Sequence, residues 1–311
     1  MRRSRRSFLD VLAGGRSDAG YDTGLWIAAR GREAREASEH EYEHEDAQAQ
    51  AAPGGAAPAR PALPPGVKAI RISSNENPLG PGKAALDAIV RKFPEAGRYP
   101  FNSTPADSAL VTAIAMKFGA KPENVVLGAG SQEILKSAVR AFTSPTRSLV
   151  TAAPSFENCP QLAKKLGHPV TEINVDAALR LDLDAMAAAA RGAGLVFLNN
   201  PNNPTATVHG SKAVTDFVQK VRAASPDTVI LIDEAYHDYV TDPAYETAIP
   251  LALATPNVFV ARTFSKAYGM AGMRMGYAIG QPETLRKLSN AWGLGDISEL
   301  QAVGGIAALA D

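Results

Sequence analysis

The chain has 311 residues, 45% of them hydrophobic and 21% charged, which suits one large core domain with something smaller beside it and excludes a fibre or a disordered tail. Lys+Arg and Asp+Glu both number 32, so there is no broad electrostatic field to hold nucleic acid or an anionic membrane, and no nucleic-acid partner is expected. Cys159 is the only cysteine, which excludes an internal disulfide and a cysteine-built metal site.

At the N-terminus, Ser4-Arg5-Arg6-Ser7-Phe8-Leu9 resembles a twin-arginine export motif followed by apolar Val11, Leu12 and Ala13, but Asp10, Arg16, Asp18 and Asp22 interrupt the apolar stretch. A basic disordered N-terminus is the alternative, so the location is open between cytoplasm and export. Nothing further along approaches a membrane-spanning length. Residues 30–50 are charge-dense and residues 51–66 are a run of Ala, Pro and Gly, neither able to build a core. Residues 1–66 therefore read as a signal-like or disordered arm, and folded structure is expected from Val67.

Beyond it, amphipathic helices are predicted over Lys83–Phe93, Pro105–Phe118, Gln132–Phe142, Gln161–Leu166, Leu183–Ala190, Lys212–Ala223 and Pro282–Trp292. Between them lie short apolar runs that predict strands: Asn124–Leu127, Ser148–Thr151, Val170–Ile173, Leu195–Leu198, Thr228–Ile232, Val258–Ala261 and Gly276–Ile279. Val229-Ile-Leu-Ile232 has no polar alternation, as a strand covered by helices on both faces requires. The pattern predicts an α/β fold with a mainly parallel sheet, whose ligand belongs at the carboxyl ends of the strands.

Three segments sit just after predicted strands: Asn199-Asn-Pro-Asn-Asn-Pro-Thr205, Asp233-Glu-Ala-Tyr236, and Thr263-Phe-Ser-Lys-Ala-Tyr-Gly269 with Arg274 beyond it. Each alone also reads as an ordinary turn or helix cap. Together with Ser74-Asn-Glu-Asn-Pro-Leu-Gly-Pro81, Arg98-Tyr-Pro100 and Gly128-Ala-Gly-Ser-Gln-Glu133, their order resembles the fold-type-I aminotransferases that use pyridoxal 5'-phosphate (PLP), and within them the histidinol-phosphate aminotransferase-like branch. The resemblance runs from about Ile72 to Asp311. It implies a three-layer α/β/α large domain over residues 67–292, with 67–104 as its N-terminal arm and 293–311 opening a small C-terminal domain that is otherwise missing, along with the arginine that clamps the substrate's carboxylate or phosphate.

The same resemblance implies residue roles. Lys266 matches the Schiff-base lysine, an amine that must be deprotonated to attack the cofactor aldehyde and then carries protons. Asp233 would pair with the ring nitrogen, keeping the ring an electron sink. Tyr236 and Asn203 would hydrogen-bond the ring's phenolic oxygen, Ala235 is small enough to lie flat against the ring, and Phe156 stands where a stacking tyrosine is usual. Gly130, Ser131 and Gln132 open a predicted helix whose amides and dipole face an anion, and Thr263, Ser265 and Arg274 complete that cofactor site. Gln132 replaces a usual acidic residue. Tyr99 would reach the phosphate from the other subunit, implying a homodimer with shared active sites. Asn75-Glu-Asn77 matches the segment over the substrate entrance, or else is a turn before Pro78. His168, His209 and His237 lack metal-ligand spacing, so no metal is expected.

The implied reaction is transamination between an amino donor, histidinol phosphate or an aromatic amino acid, and a 2-oxo acid such as 2-oxoglutarate. Alternatives are a PLP-dependent decarboxylase on the same scaffold and a non-catalytic PLP-binding remnant. A dinucleotide-binding protein, suggested only by Gly128-Ala-Gly130, lacks the third glycine.

Overall fold

A computed structural model describes residues 73–97, 106–291 and 293–311. The twin-arginine-like motif, the Ala/Pro/Gly run, Tyr99 and Trp292 lie outside the described residues. Seven strands form one sheet: β1 (Val125–Gly128), β2 (Leu149–Ala153), β3 (Val170–Asn174), β4 (Leu195–Asn199), β5 (Val229–Asp233), β6 (Val258–Thr263) and β7 (Gly276–Gly280). Their order is β1-β7-β6-β5-β4-β2-β3. The run from β6 through β5, β4 and β2 to β3 is parallel, and β7 is antiparallel to both β1 and β6. All seven predicted strands are present, with ends moved by one or two residues.

Every residue of β4, β5, β6 and β7 is buried, because helices cover both faces. On one face α3 (Ser131–Phe142), α4 (Asn158–Lys165) and α8 (Pro282–Asn290) pack on Val229, Leu231, Phe259 and Ala261. On the other, α1 (Lys83–Lys92), α2 (Ala106–Lys117), α5 (Leu183–Ala189), α6 (Ser211–Ala224), α7 (Ile249–Ala254) and α9 (Glu299–Ala310) pack on Ile230, Ile232, Val258 and Val260. This is a three-layer α/β/α arrangement. The helices bury the stripes that their periodicity requires; α6, for example, buries Val214, Phe217, Val218 and Val221.

Two helix ends differ from the sequence prediction by more than one residue, and one short helix was not predicted. α4 starts at Asn158 rather than Gln161, because Pro160 lies in its first turn, where a missing N–H costs nothing. α8 ends at Asn290 rather than Trp292. α7, with six residues and a proline in its first turn, is too short to show a period and was not predicted.

In the stretch expected to open a second domain, α9 packs against α1 and α2. Its Gly304 and Gly305 make close approach possible: a Cβ on Gly304 would meet Ile89 at 2.9 Å, and one on Gly305 would meet Met275 at 2.6 Å. Ser298 caps α9 by accepting from Gln301 N, and the buried carboxylate of Glu299 lies 3.1 Å from Lys92 Nζ. Residues 74–311 thus form one compact unit.

Candidate active site

The sheet register collects the polar residues at one edge. Asn199 pairs with Asp233, Asp233 with Ala261, and Thr263 with Gly276, so the carboxyl ends of β4, β5 and β6 finish side by side, as expected for a ligand site in a parallel sheet. Asp233 continues the side-chain alternation of Val229 and Leu231 and faces the α3 side.

Asp233 is 2% exposed, and among the described residues its Oδ1 accepts from Ala235 N, at 3.2 Å. Burial pushes its carboxyl up to about 7, with the neighbouring Glu234 charge adding to the rise and the Ala235 N–H and Lys266 opposing it. A buried acid with so little compensation fits an occupant that brings a protonated ring nitrogen.

Lys266 follows β6 and is half-buried. Its Nζ donates to Ser74 O at 3.1 Å and Asn75 O at 3.2 Å, and lies 5.4 Å from the centre of the Tyr236 ring. Burial holds its amine below the usual lysine range, Arg274 reinforces this, and Asp233 and Glu76 oppose it. The Tyr236 hydroxyl accepts from Asn75 Nδ2 at 3.0 Å, and burial raises its pKa. Asn77 Nδ2 donates to Ala267 O at 3.0 Å, so the segment 74–77 crosses over Lys266 and Tyr236.

A second group forms where α3 begins. Gly130, with φ of +83°, caps the helix. A Cβ there would collide with the Arg274 guanidinium, and one on Gly276 would collide with Ser131 N; the absence of side chains leaves a backbone cradle at a helix N-terminus. Arg274 Nη1 lies 3.4 Å from Ser265 Oγ and donates to Ala271 O at 3.0 Å. Ser265 Oγ accepts from Thr263 Oγ1 at 3.0 Å. Two hydroxyls, a helix N-terminus and an arginine fit an oxyanion such as a phosphate. The Gln132 side chain is exposed, whereas Glu133 turns back to accept from Ala129 N at 2.7 Å.

The remaining candidates sit on the flanking loops. Ala235 and Asn203 are half-buried, as is Phe156, which packs against the α3-side core. Sequence reasoning missed Asn202, which is 2% exposed. Its Oδ1 accepts from Ser155 Oγ at 2.8 Å and its Nδ2 donates to Pro154 O and Thr205 Oγ1, tying the loop of Asn203 to the loop of Phe156. Its place between two Asn-Pro steps was the only available signal. Among the described residues no group of acidic, histidine and cysteine side chains could hold a metal, and no helix is long and apolar enough to cross a membrane.

Fold and edge together define a three-layer α/β protein whose candidate ligand groups gather at the carboxyl ends of its parallel strands. Residues 67–309 match the family "Aminotransferase class I and II", and the chain belongs to that family; this displaces the dinucleotide-binding alternative. It is 38% identical over 249 residues to a histidinol-phosphate aminotransferase of Moorella thermoacetica, covering 79% of this chain and 63% of that protein. It is 37% identical over 257 residues to an aromatic amino acid aminotransferase of Thermobifida fusca, covering 81% and 69%. Among solved structures it resembles histidinol-phosphate aminotransferase from Sinorhizobium meliloti in complex with pyridoxal-5'-phosphate, with a TM-score of 0.68, 31% identity and coverage of 76% and 63%. The chain thus spans less than two thirds of the length of several relatives it matches.

Proposed function

We propose that this chain binds PLP at the carboxyl edge of β4, β5 and β6, and that the protein transfers an amino group between a donor of the histidinol-phosphate or aromatic amino acid class and a 2-oxo acid such as 2-oxoglutarate. The observation that carries the reading is the pairing of a half-buried amine, Lys266, with a buried, under-compensated acid, Asp233, beside a helix N-terminus that Arg274 faces. Family membership and relatives of both donor classes support it.

Bound PLP supplies an electron-withdrawing ring for the substrate amine's α-carbon. The other tasks fall to the chain. Lys266, its amine held below the usual lysine range by burial, would be the group that bonds the cofactor aldehyde and the one placed to hold a proton at Nζ. Asp233 would pair with the ring nitrogen and keep it protonated, and the Tyr236 hydroxyl, with Asn203, would donate toward the ring oxygen. Ala235 and Phe156 would lie against the ring. Gly130, Ser131 and Gln132 of the α3 start, with Thr263, Ser265 and Arg274, would hold the phosphate; the family resemblance assigns Tyr99 to the same group from a second copy of the chain in a homodimer with shared sites.

The test is a visible absorbance spectrum of protein incubated with PLP and freed of excess. The parent should show a band that persists through desalting and changes on adding a donor amine, and Lys266→Ala should lose it. Persistent, donor-responsive absorbance in Lys266→Ala would sink the assignment of that lysine, and a parent that retains no cofactor would sink the reading. Keto acid formation without carbon dioxide release separates transamination from decarboxylation.

A further inference from the structure

The turn that leaves β5 is held from behind the sheet. Glu234 follows Asp233 and therefore points to the opposite face, where its side chain is 1% exposed. Its Oε2 accepts from Arg262 Nε at 2.9 Å, with Arg262 Nη2 2.8 Å from the same oxygen, and from Thr247 Oγ1 at 2.8 Å. Its Oε1 accepts from Ala248 N at 2.6 Å. Arg262 is also buried, its side chain 5% exposed and its guanidinium 5.1 Å from the centre of the Phe118 ring.

Stability alone does not call for this arrangement, since desolvation of a buried ion pair offsets much of its attraction and an apolar pair of similar volume would serve as well. Its position is more informative. Asp233 is in register with Ala261 on β6, so Glu234 and Arg262 are the next residue along each strand. The Glu234 charge adds to the negative potential at Asp233, and the Arg262 guanidinium against it limits how far that field reaches into the site.

We propose that Arg262 and Glu234 form a positioning and charge-balancing pair for the site, which leaves Asp233 to set the potential at the cofactor ring and ties residues 247–248 to the turn carrying Asp233, Ala235 and Tyr236. This rests on the PLP reading above. Glu234 also faces His237, whose Nδ1 is 3.9 Å from Oε2, and interacts with Tyr245 and Tyr277 in the same cluster; Asp238 and Lys117 bear on His237. Asp233 faces Lys266 and its own neighbour Glu234. The substitutions below leave all of these except Glu234 and Arg262 unchanged.

The experiment reads the pH midpoint of the visible absorbance of PLP-loaded protein. Glu234→Gln keeps the shape but leaves the Arg262 cation unbalanced, and should lower the midpoint by about half a unit or more. Adding Arg262→Met to Glu234→Gln removes the second charge and should bring the midpoint back toward the parent, although more hydrogen bonds are lost. A midpoint that does not fall in Glu234→Gln, or that moves further from the parent in the double variant, overturns the proposal in favour of a purely structural role. A parent that takes up no PLP overturns the underlying reading before any variant is compared, and the proposal with it.

Discussion

The two ends of the parallel sheet are built on opposite rules. At the amino end, a shallow cavity lined by Phe142, Arg147, Ser225, Asp227, Asn257 and Lys287 looks like a site, yet its polar groups are tied to the chain. Arg147 Nη2 donates to Asp227 O at 3.0 Å, Asn257 Nδ2 to Pro226 O at 3.1 Å, and the nearby Thr228 Oγ1 to Ala193 O at 2.8 Å. At the carboxyl end the buried Asn199 Oδ1 has no hydrogen-bond partner among the described residues, the Asp233 carboxyl is pushed up to about 7 and the Lys266 amine is pushed down. Desolvated polar groups with little compensation gather at the end where the ligand site is proposed, and the polar groups around the amino-end cavity are held by the chain itself.

Asp233→Asn tests this contrast with the largest expected effect. An unfolded aspartate titrates at about 3.9, and Asp233 in the fold at about 7. Its neutral form therefore contributes stability that is full below about pH 4 and lost as the pH rises through about 7, a loss on the order of 4 kcal/mol. Cofactor-free Asp233→Asn should be the more stable protein at pH 8 in urea unfolding and lose that advantage at low pH, while binding PLP less well. Equal stability of parent and variant at pH 8 would place little strain at this end.

Arg274→Met should weaken PLP binding by about 10–100-fold, the worth of a charge-assisted hydrogen bond or two, read from the concentration of PLP needed to hold the visible band. Inorganic phosphate should compete with PLP in the parent and scarcely in the variant. Unchanged affinity would remove Arg274 from the anion site.

The smallest effect belongs to the amino end. Thr228→Val removes donations to Ala190 O and Ala193 O and should cost about 1 kcal/mol of stability, with PLP affinity and spectrum as in the parent. A changed spectrum would mean that the two ends are coupled.

Much of this was legible in the chain. Apolar runs and period-3.6 patterns are local, so all seven strands and seven of the helices could be placed from them; α7 could not, because six residues do not complete a period, and α9 was not placed by its pattern either. The site segments were legible as the residues that follow apolar runs. Asn202 was not, since its job depends on Ser155 and Pro154 arriving from another loop. Nor was the pairing of Glu234 with Arg262, which lie far apart in sequence and meet only because β5 and β6 are adjacent and in register.

The sequence by itself determined the alternation of strands and helices, the family, and which residues carry an amine, an acid or an arginine, because these depend on neighbours along the chain. The tertiary structure alone decided that Lys266 meets the carbonyls of Ser74 and Asn75, that Arg274 lies on Gly130, and that Asp233 is buried deeply enough to resist ionisation. Proximity across strands and removal from water are properties of packing, and no stretch of chain possesses them before it is folded.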